Sequence, residues 1–283
     1  MIKNFGWKKD KFDERDYIFK PKVIKLPDKV SLEGYCPSVR DQGNLGSCTG
    51  FGIGGNLTGI SKRLGMYTEW FSPVWIYNGG RLYGGTLGRD SGAYPRDCLE
   101  FLVDNGSLLE HFHPYSDKLD VTDPTKWACA PEAKKYPVIS YTRIIGDETS
   151  VCQALAEGHL VSLGCPWFYS WMNTDSKGNL PEDYTSVAGG HETLLYGYDL
   201  IDKVFYGQNS WGKEWGNNGK FTIPFSAWRE FRKWGGWDAH TISVNWSEPP
   251  VPEPDDKPEF LKMLPYIGIG TAILAFLIWF LTK

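Results

Sequence analysis

Gln42-Gly43-Asn44-Leu45-Gly46-Ser47-Cys48-Thr49-Gly50-Phe51-Gly52 is the stretch that decides how this chain reads, because Gly190-His191-Glu192 and Gln208-Asn209-Ser210-Trp211-Gly212 follow it far downstream. A free thiol is only a few per cent thiolate at neutral pH, so a reactive cysteine needs an imidazole within reach and usually a helix N-terminus beneath the sulfur. The Gly46-Ser47 turn followed by Phe51, Ile53, Leu57 and Ile60 predicts a helix that starts at Cys48 and buries one side. His191 then reads as the base for this nucleophile and Asn209 as the group that orients the base.

The order of these blocks resembles that of the papain-like (C1) cysteine peptidases. The likeness runs from about Leu26 to about Trp228. Leu26-Pro27-Asp28-Lys29-Val30 is similar to the start of the mature domain, and Asn209-Ser210-Trp211-Gly212-Lys213-Glu214-Trp215-Gly216-Asn217-Asn218-Gly219 to the family's Asn-Ser-Trp-Gly block. The wording Leu45-Gly46-Ser47-Cys48-Thr49, with Asp13-Glu14-Arg15-Asp16-Tyr17 ahead of it, resembles the bacterial, archaeal and viral branch.

The resemblance implies an α+β, two-lobed papain-like fold that needs no cofactor and acts on a protein or peptide. Cys48 would attack the peptide carbonyl, and His191 would protonate the leaving amine and then activate water. Asn209 would hold the imidazole, shielded by Trp211. Gln42 matches the oxyanion-hole glutamine, and Gly92 with Ala93 the backbone that hydrogen-bonds an extended substrate. The family's disulfide positions correspond to Leu45 and Asp90, so both partners are missing together. Setting Cys48 aside leaves Cys36, Cys98, Cys129, Cys152 and Cys165, an odd set in which at least one thiol stays unpaired, and the joint absence of the family's disulfide partners favours a reducing environment. Glu192 departs from the small apolar residue usual after the base, and strand alternation turns it away from the cleft.

Composition narrows the alternatives. A net charge of −4 without a basic run speaks against nucleic acid. Clustered Cys and His at metal spacing are absent, and a His-Glu-x-x-His reading fails because Leu195 stands where the second histidine belongs. The 13 tryptophans read as core and cleft walls. Helices are predicted over 95–105 and 150–157, and strands over 159–164, 193–198, 203–208 and 219–223, which places His191 and Asn209 on an antiparallel β half facing the Cys48 helix. The site then lies in a cleft between the halves.

Both ends carry additions, dividing the chain into 1–25, 26–247, 248–263 and 264–281. The N-terminal extension lacks an apolar secretory core and is expected to strap across the surface rather than shield the cleft. Residues 248–263 form a proline-rich acidic linker, extended over roughly 30 Å across its proline-dense part. From Leu264 to Leu281 no charge occurs, and as a helix the run would reach about 27 Å, close to a bilayer core. A C-terminal membrane anchor with the catalytic domain on the cytoplasmic side is the expectation. Two other functions fit the scaffold: a peptidoglycan-peptide amidase, against which the Asn209 block argues, and a non-catalytic structural or assembly protein, such as one of a virus particle, against which the intact Cys48, His191, Asn209 and Gln42 set argues.

Overall fold

The computed structural model describes residues 4–22, 25–66 and 69–246. The expected linker and membrane span, 248–263 and 264–281, lie outside the described residues. Among those described, no helix is long and apolar enough to cross a membrane.

Chain order is β1 (Lys29–Ser31), α1 (Cys48–Arg63), α2 (Pro73–Tyr83), α3 (Pro95–Asn105), the short α4 (Ala130–Ala133), β2 (Val138–Ile144), α5 (Glu148–Ala156), β3 (Val161–Phe168), β4 (Val187–Asp199), β5 (Val204–Gln208), β6 (Lys220–Pro224), α6 (Ala227–Lys233) and β7 (Asp238–Val244). Local chemistry sets the helix ends. Ser72 accepts the Trp75 N–H and Pro73 follows it at the start of α2, while α3 begins at Pro95 and stops at Gly106, whose φ of 81° suits glycine. Asp147 caps α5 by accepting the Thr149 N–H, which starts that helix earlier than its apolar spacing suggests.

The strands form one antiparallel sheet in the order β2-β7-β3-β4-β5-β6, and β1 pairs with the far end of β4. Its larger core packs Trp167, Trp171, Trp211, Trp215, Trp228 and Trp237 around Leu163, Leu195 and Phe221. A second core gathers α1, α2 and α3 through Ile53, Leu57, Ile76, Leu99, Phe101 and Leu102, joined by Trp246 at the end of the sheet. Helix α1 is buried nearly all round, as a helix wedged between two layers must be. It lies against β4 and so brings the two halves of the site together.

Candidate active site

Cys48 is the first residue of α1, with Ser47 at the N-cap, and its side chain has no exposed surface. The helix N-terminus therefore sits under the thiol, where its dipole favours an anion. His191 is carried by β4, paired across to Cys165 of β3. Helix and strand approach so closely that a Cβ on Gly52 would come within 2.9 Å of the Glu192 side chain. The Glu192 backbone N–H lies near enough to the Cys48 sulfur to favour its thiolate, which puts the thiol beside the residue next to His191.

Asn209 follows β5 directly. Its Oδ1 lies 2.7 Å from His191 Nε2 and also accepts the Ser210 N–H at 2.7 Å. An oxygen that accepts from both requires the ring proton on Nε2, so Nδ1 is the basic nitrogen of the neutral ring. Trp211 stacks on the imidazole at 4.6 Å and 30°, and Trp167 meets it edge-on at 4.9 Å. These indoles keep water from the His191–Asn209 bond.

Gln42 is anchored by its own oxygen. Ser210 Oγ–H donates to Oε1 at 2.7 Å, which turns the amide nitrogen outward to donate to Leu45 O at 2.9 Å and Asn4 O at 3.2 Å. The last contact is a peptide carbonyl lying in the cleft, the type of group an oxyanion donor must meet. Gln42→Ala is expected to lower kcat on the order of 10²-fold, the scale for losing one such donor. Ser210→Ala, which frees the amide to rotate, should cost less; both are read from steady-state rates on a peptide.

The N-terminal extension enters this cleft, contrary to the expectation of a surface strap. Gly6 and Trp7 N–H both donate to Gly190 O, at 3.1 and 3.0 Å, Ala93 N–H donates to Gly6 O at 2.8 Å, and Lys8 N–H to Ala93 O at 3.0 Å. Gly6 N–H, bonded to Gly190 O, also lies near enough to the Cys48 sulfur to favour its thiolate. Phe5 stands edge-on to His191 and Trp211. Of the two residues expected to hold substrate backbone, Ala93 uses both its N–H and its C=O on the strap. Gly92 instead donates its N–H to Tyr77 Oη at 3.2 Å and, at φ 75°, lets Gly6 O pass where a Cβ would stand. Only a residue as small as Gly6 fits at this point beside Cys48, because a Cβ there would collide with Gly46 O.

Beyond the cleft the strap is fastened by buried charge. Asp10 N–H donates to Asp238 Oδ2 at 2.9 Å, Arg96 N–H to Asp10 at 3.1 Å, and the Arg96 guanidinium grips Asp16 through two bonds of 2.9 and 2.6 Å. Arg143 joins Asp16 and Asp238 at 3.2 and 2.9 Å. Burial comes first and the Asp238 charge second in raising the Asp10 carboxyl above the ordinary range.

Electrostatics under the strap favour a silent thiol. Burial, reinforced by the Glu192 carboxyl, pushes Cys48 up to about 12. Glu192 is itself raised well above the ordinary carboxyl value, by burial first and by Asp10 and Asp238 next. Strand alternation does turn Glu192 to the face opposite His191, but that face is covered by α1 and reaches the thiol, so the expectation that it points away from the site is corrected. All six cysteines are free thiols. Burial holds Cys98 and Cys165 far above the ordinary thiol range and hence unreactive.

A sequence profile of the papain family cysteine protease matches residues 26–227. The chain belongs to that family. Among papain-family relatives, an uncharacterized peptidase C1-like protein of Acanthamoeba polyphaga mimivirus is 30% identical over 264 residues, covering 80% of this chain and 82% of that one. Cathepsin B-like CP3 of Giardia intestinalis is 29% identical over 202 residues, covering 66% of this chain and 64% of its own length. The crystal structure of xylellain, a cysteine protease from Xylella fastidiosa, superposes with a TM-score of 0.77 at 26% identity, over 86% of this chain and 96% of xylellain. Family membership and the two-lobed α+β architecture make this protein a hydrolase of the thiol-protease class. Sequence reading did not reach Ser210 as the anchor of Gln42, and it laid the strap on the surface instead of in the cleft; the run Phe5-Gly6-Trp7, a glycine between aromatics, is the signal that marks its true place.

Proposed function

We propose that the protein is an endopeptidase that cleaves protein or peptide substrates through a Cys48 thioester, held latent by its own N-terminal strap. The observation that carries this is the shared acceptor Asn209 Oδ1, which fixes the tautomer of His191 beside a thiol at a helix N-terminus. In the proposed cycle His191 takes the Cys48 proton and the thiolate attacks the scissile carbonyl. The oxyanion is met by Gln42 Nε2–H and the Cys48 backbone N–H, and the imidazolium gives its proton to the leaving amine. Water, deprotonated by His191, then releases the acid and regenerates the thiol. Ala93 would hold substrate backbone as it holds the strap, with Gly92 leaving room for it and Trp211 walling the other side.

The test is incubation of the full-length Phe5→Ala/Trp7→Ala chain, whose strap is loosened, with a denatured protein substrate, with new N-termini followed by mass spectrometry. An epoxide thiol inhibitor should stop their appearance and leave its adduct on Cys48. Cleavage that persists with Cys48 modified would contradict the mechanism.

A membrane anchor through residues 264–281 and a cytoplasmic catalytic domain complete the proposal, supported by the uncharged apolar run beyond the proline-rich linker. The full chain should fractionate with membranes and resist salt extraction. A chain shortened after Trp246 should be soluble. Full-length protein in the soluble fraction would contradict the anchor.

A further inference from the structure

The strap residue next to Gly6 sits in a pocket with unusual chemistry. In the sheet, Gly164 of β3 is paired with Glu192 of β4 on one side and with Asp238 of β7 on the other. Directly paired residues of antiparallel strands point to the same face, so the two acids flank Gly164 in a row, with about 10 Å between their α-carbons. The missing side chain at Gly164 makes the hollow between them. The Trp7 indole fills it, lying where a Gly164 Cβ would be 2.1 Å from its Cδ1 and Nε1, with Gly190 forming the adjoining wall.

The two acids are not equally satisfied. Asp238 pairs with Arg143 at 2.9 Å, and its Oδ2 takes the Trp7 indole N–H at 3.1 Å and the Asp10 N–H at 2.9 Å. When the strap leaves, both donors to Oδ2 leave with it, as does Lys9, 3.8 Å from Oδ1. Among the described residues Glu192 has neither hydrogen-bond donor nor cation on either carboxyl oxygen, and it is 1% exposed. An unpartnered buried carboxyl is costly, and a donor entering the hollow removes that cost.

We infer that this hollow takes a cationic side chain, arginine or lysine, on the substrate residue adjacent to the one over Cys48, on the Ala93 side, and that Glu192 is the residue that sets this selectivity. Its Glu192 wall supplies the uncompensated acceptor, Asp238 Oδ2 the second, and Gly164 the room. The inference rests on the peptidase reading for its use in catalysis, and the strap supplies a readout that does not.

Two measurements test it on the full chain. In the first, Trp7→Arg and Trp7→Leu are compared by thermal midpoint and by the alkylation rate of Cys48. Trp7→Arg should hold the strap more tightly than Trp7→Leu, with alkylation at least tenfold slower, and adding Glu192→Gln should erase most of that difference. Equal behaviour of the two, or a difference untouched by Glu192→Gln, overturns the pocket assignment whether or not the protein cleaves peptides. In the second, the Trp7→Ala chain is given paired peptides differing only in Arg, Lys, Leu or Trp at the pocket position. The Arg and Lys peptides should exceed the Leu peptide at least tenfold in kcat/KM, a ratio that Glu192→Gln should reduce. Preference for Leu or Trp, or an unchanged ratio, overturns it. Cleavage of no peptide, with the strap difference present, would overturn the peptidase reading and leave the pocket standing.

Discussion

Replacing Cys48 by alanine is expected to lower peptide hydrolysis by 10⁴-fold or more, roughly the scale on which loss of a nucleophile is felt when only oxyanion donors and binding remain. His191→Ala should lose about as much, and the double variant little more than either, because nucleophile and base act as one unit. Fold is not at stake in this comparison. Cys48 leaves only a small void, and the backbone at His191, whose ring is buried between Trp167 and Trp211, is held by the pairing of β4 with β3. Far-UV circular dichroism and thermal midpoints should therefore stay near those of the parent. Full turnover by purified Cys48→Ala would remove the thiol from the mechanism.

The second large effect runs the other way. A peptide cannot lie on Ala93 and Gly190 while the strap does, since both would claim the same backbone groups. Phe5→Ala with Trp7→Ala, made together in the full chain, removes the two aromatic anchors. Burial of one such ring is worth about 2 kcal/mol, so the pair should shift the strap equilibrium on the order of 10²- to 10³-fold and raise the rate at low substrate accordingly. The fastening at Asp10, Arg96 and Arg143 remains, so the strap stays tethered and the effect falls short of complete activation. An unchanged rate would mean that the strap does not compete with substrate.

Much of this was legible in the chain before any geometry. Pro95 and Gly106 bracket a helix by backbone chemistry alone, and α3 runs between them as expected. The β half was recognisable because alternation holds through 193–198, 203–208 and 219–223, and β5 and β6 fall there within a residue. What escaped reading depends on partners far away in sequence. Helix α2 has its Ser72 cap and Pro73 start, but Gly79 and Gly80 in its middle weaken the helical signal until α3 packs on them. Strands β2 and β7 form an edge pair whose outward residues include an exposed Ile139, so no clean alternation marks them.

The site shows the same division. His191 meets Asn209, and Gln42 is bonded to the neighbouring Ser210, because each sits in a motif whose spacing carries chemistry. For Glu192 the alternation rule held, and the inference drawn from it did not, because the far face of β4 meets a helix instead of solvent. Strap placement had no local signature beyond the run Phe5-Gly6-Trp7, since its groove is cut by Gly92, Gly164, Gly189 and Gly190 from three separate segments.

The most direct test of the account is the pH dependence of Cys48 alkylation, followed by mass spectrometry in the wild type, in the Phe5→Ala/Trp7→Ala chain, and in that chain with His191→Ala. A thiol held at about 12 by burial stays protonated and unreactive below that pH, so wild-type Cys48 should react only under strongly alkaline conditions. Loosening the strap restores solvent and the imidazole partner, and the reaction should then proceed at neutral pH. Adding His191→Ala should push it back towards alkali. If Cys48 in the loosened chain reacts no faster than buried Cys98, or at the same rate with and without His191, the thiol is not an activated nucleophile and the account fails.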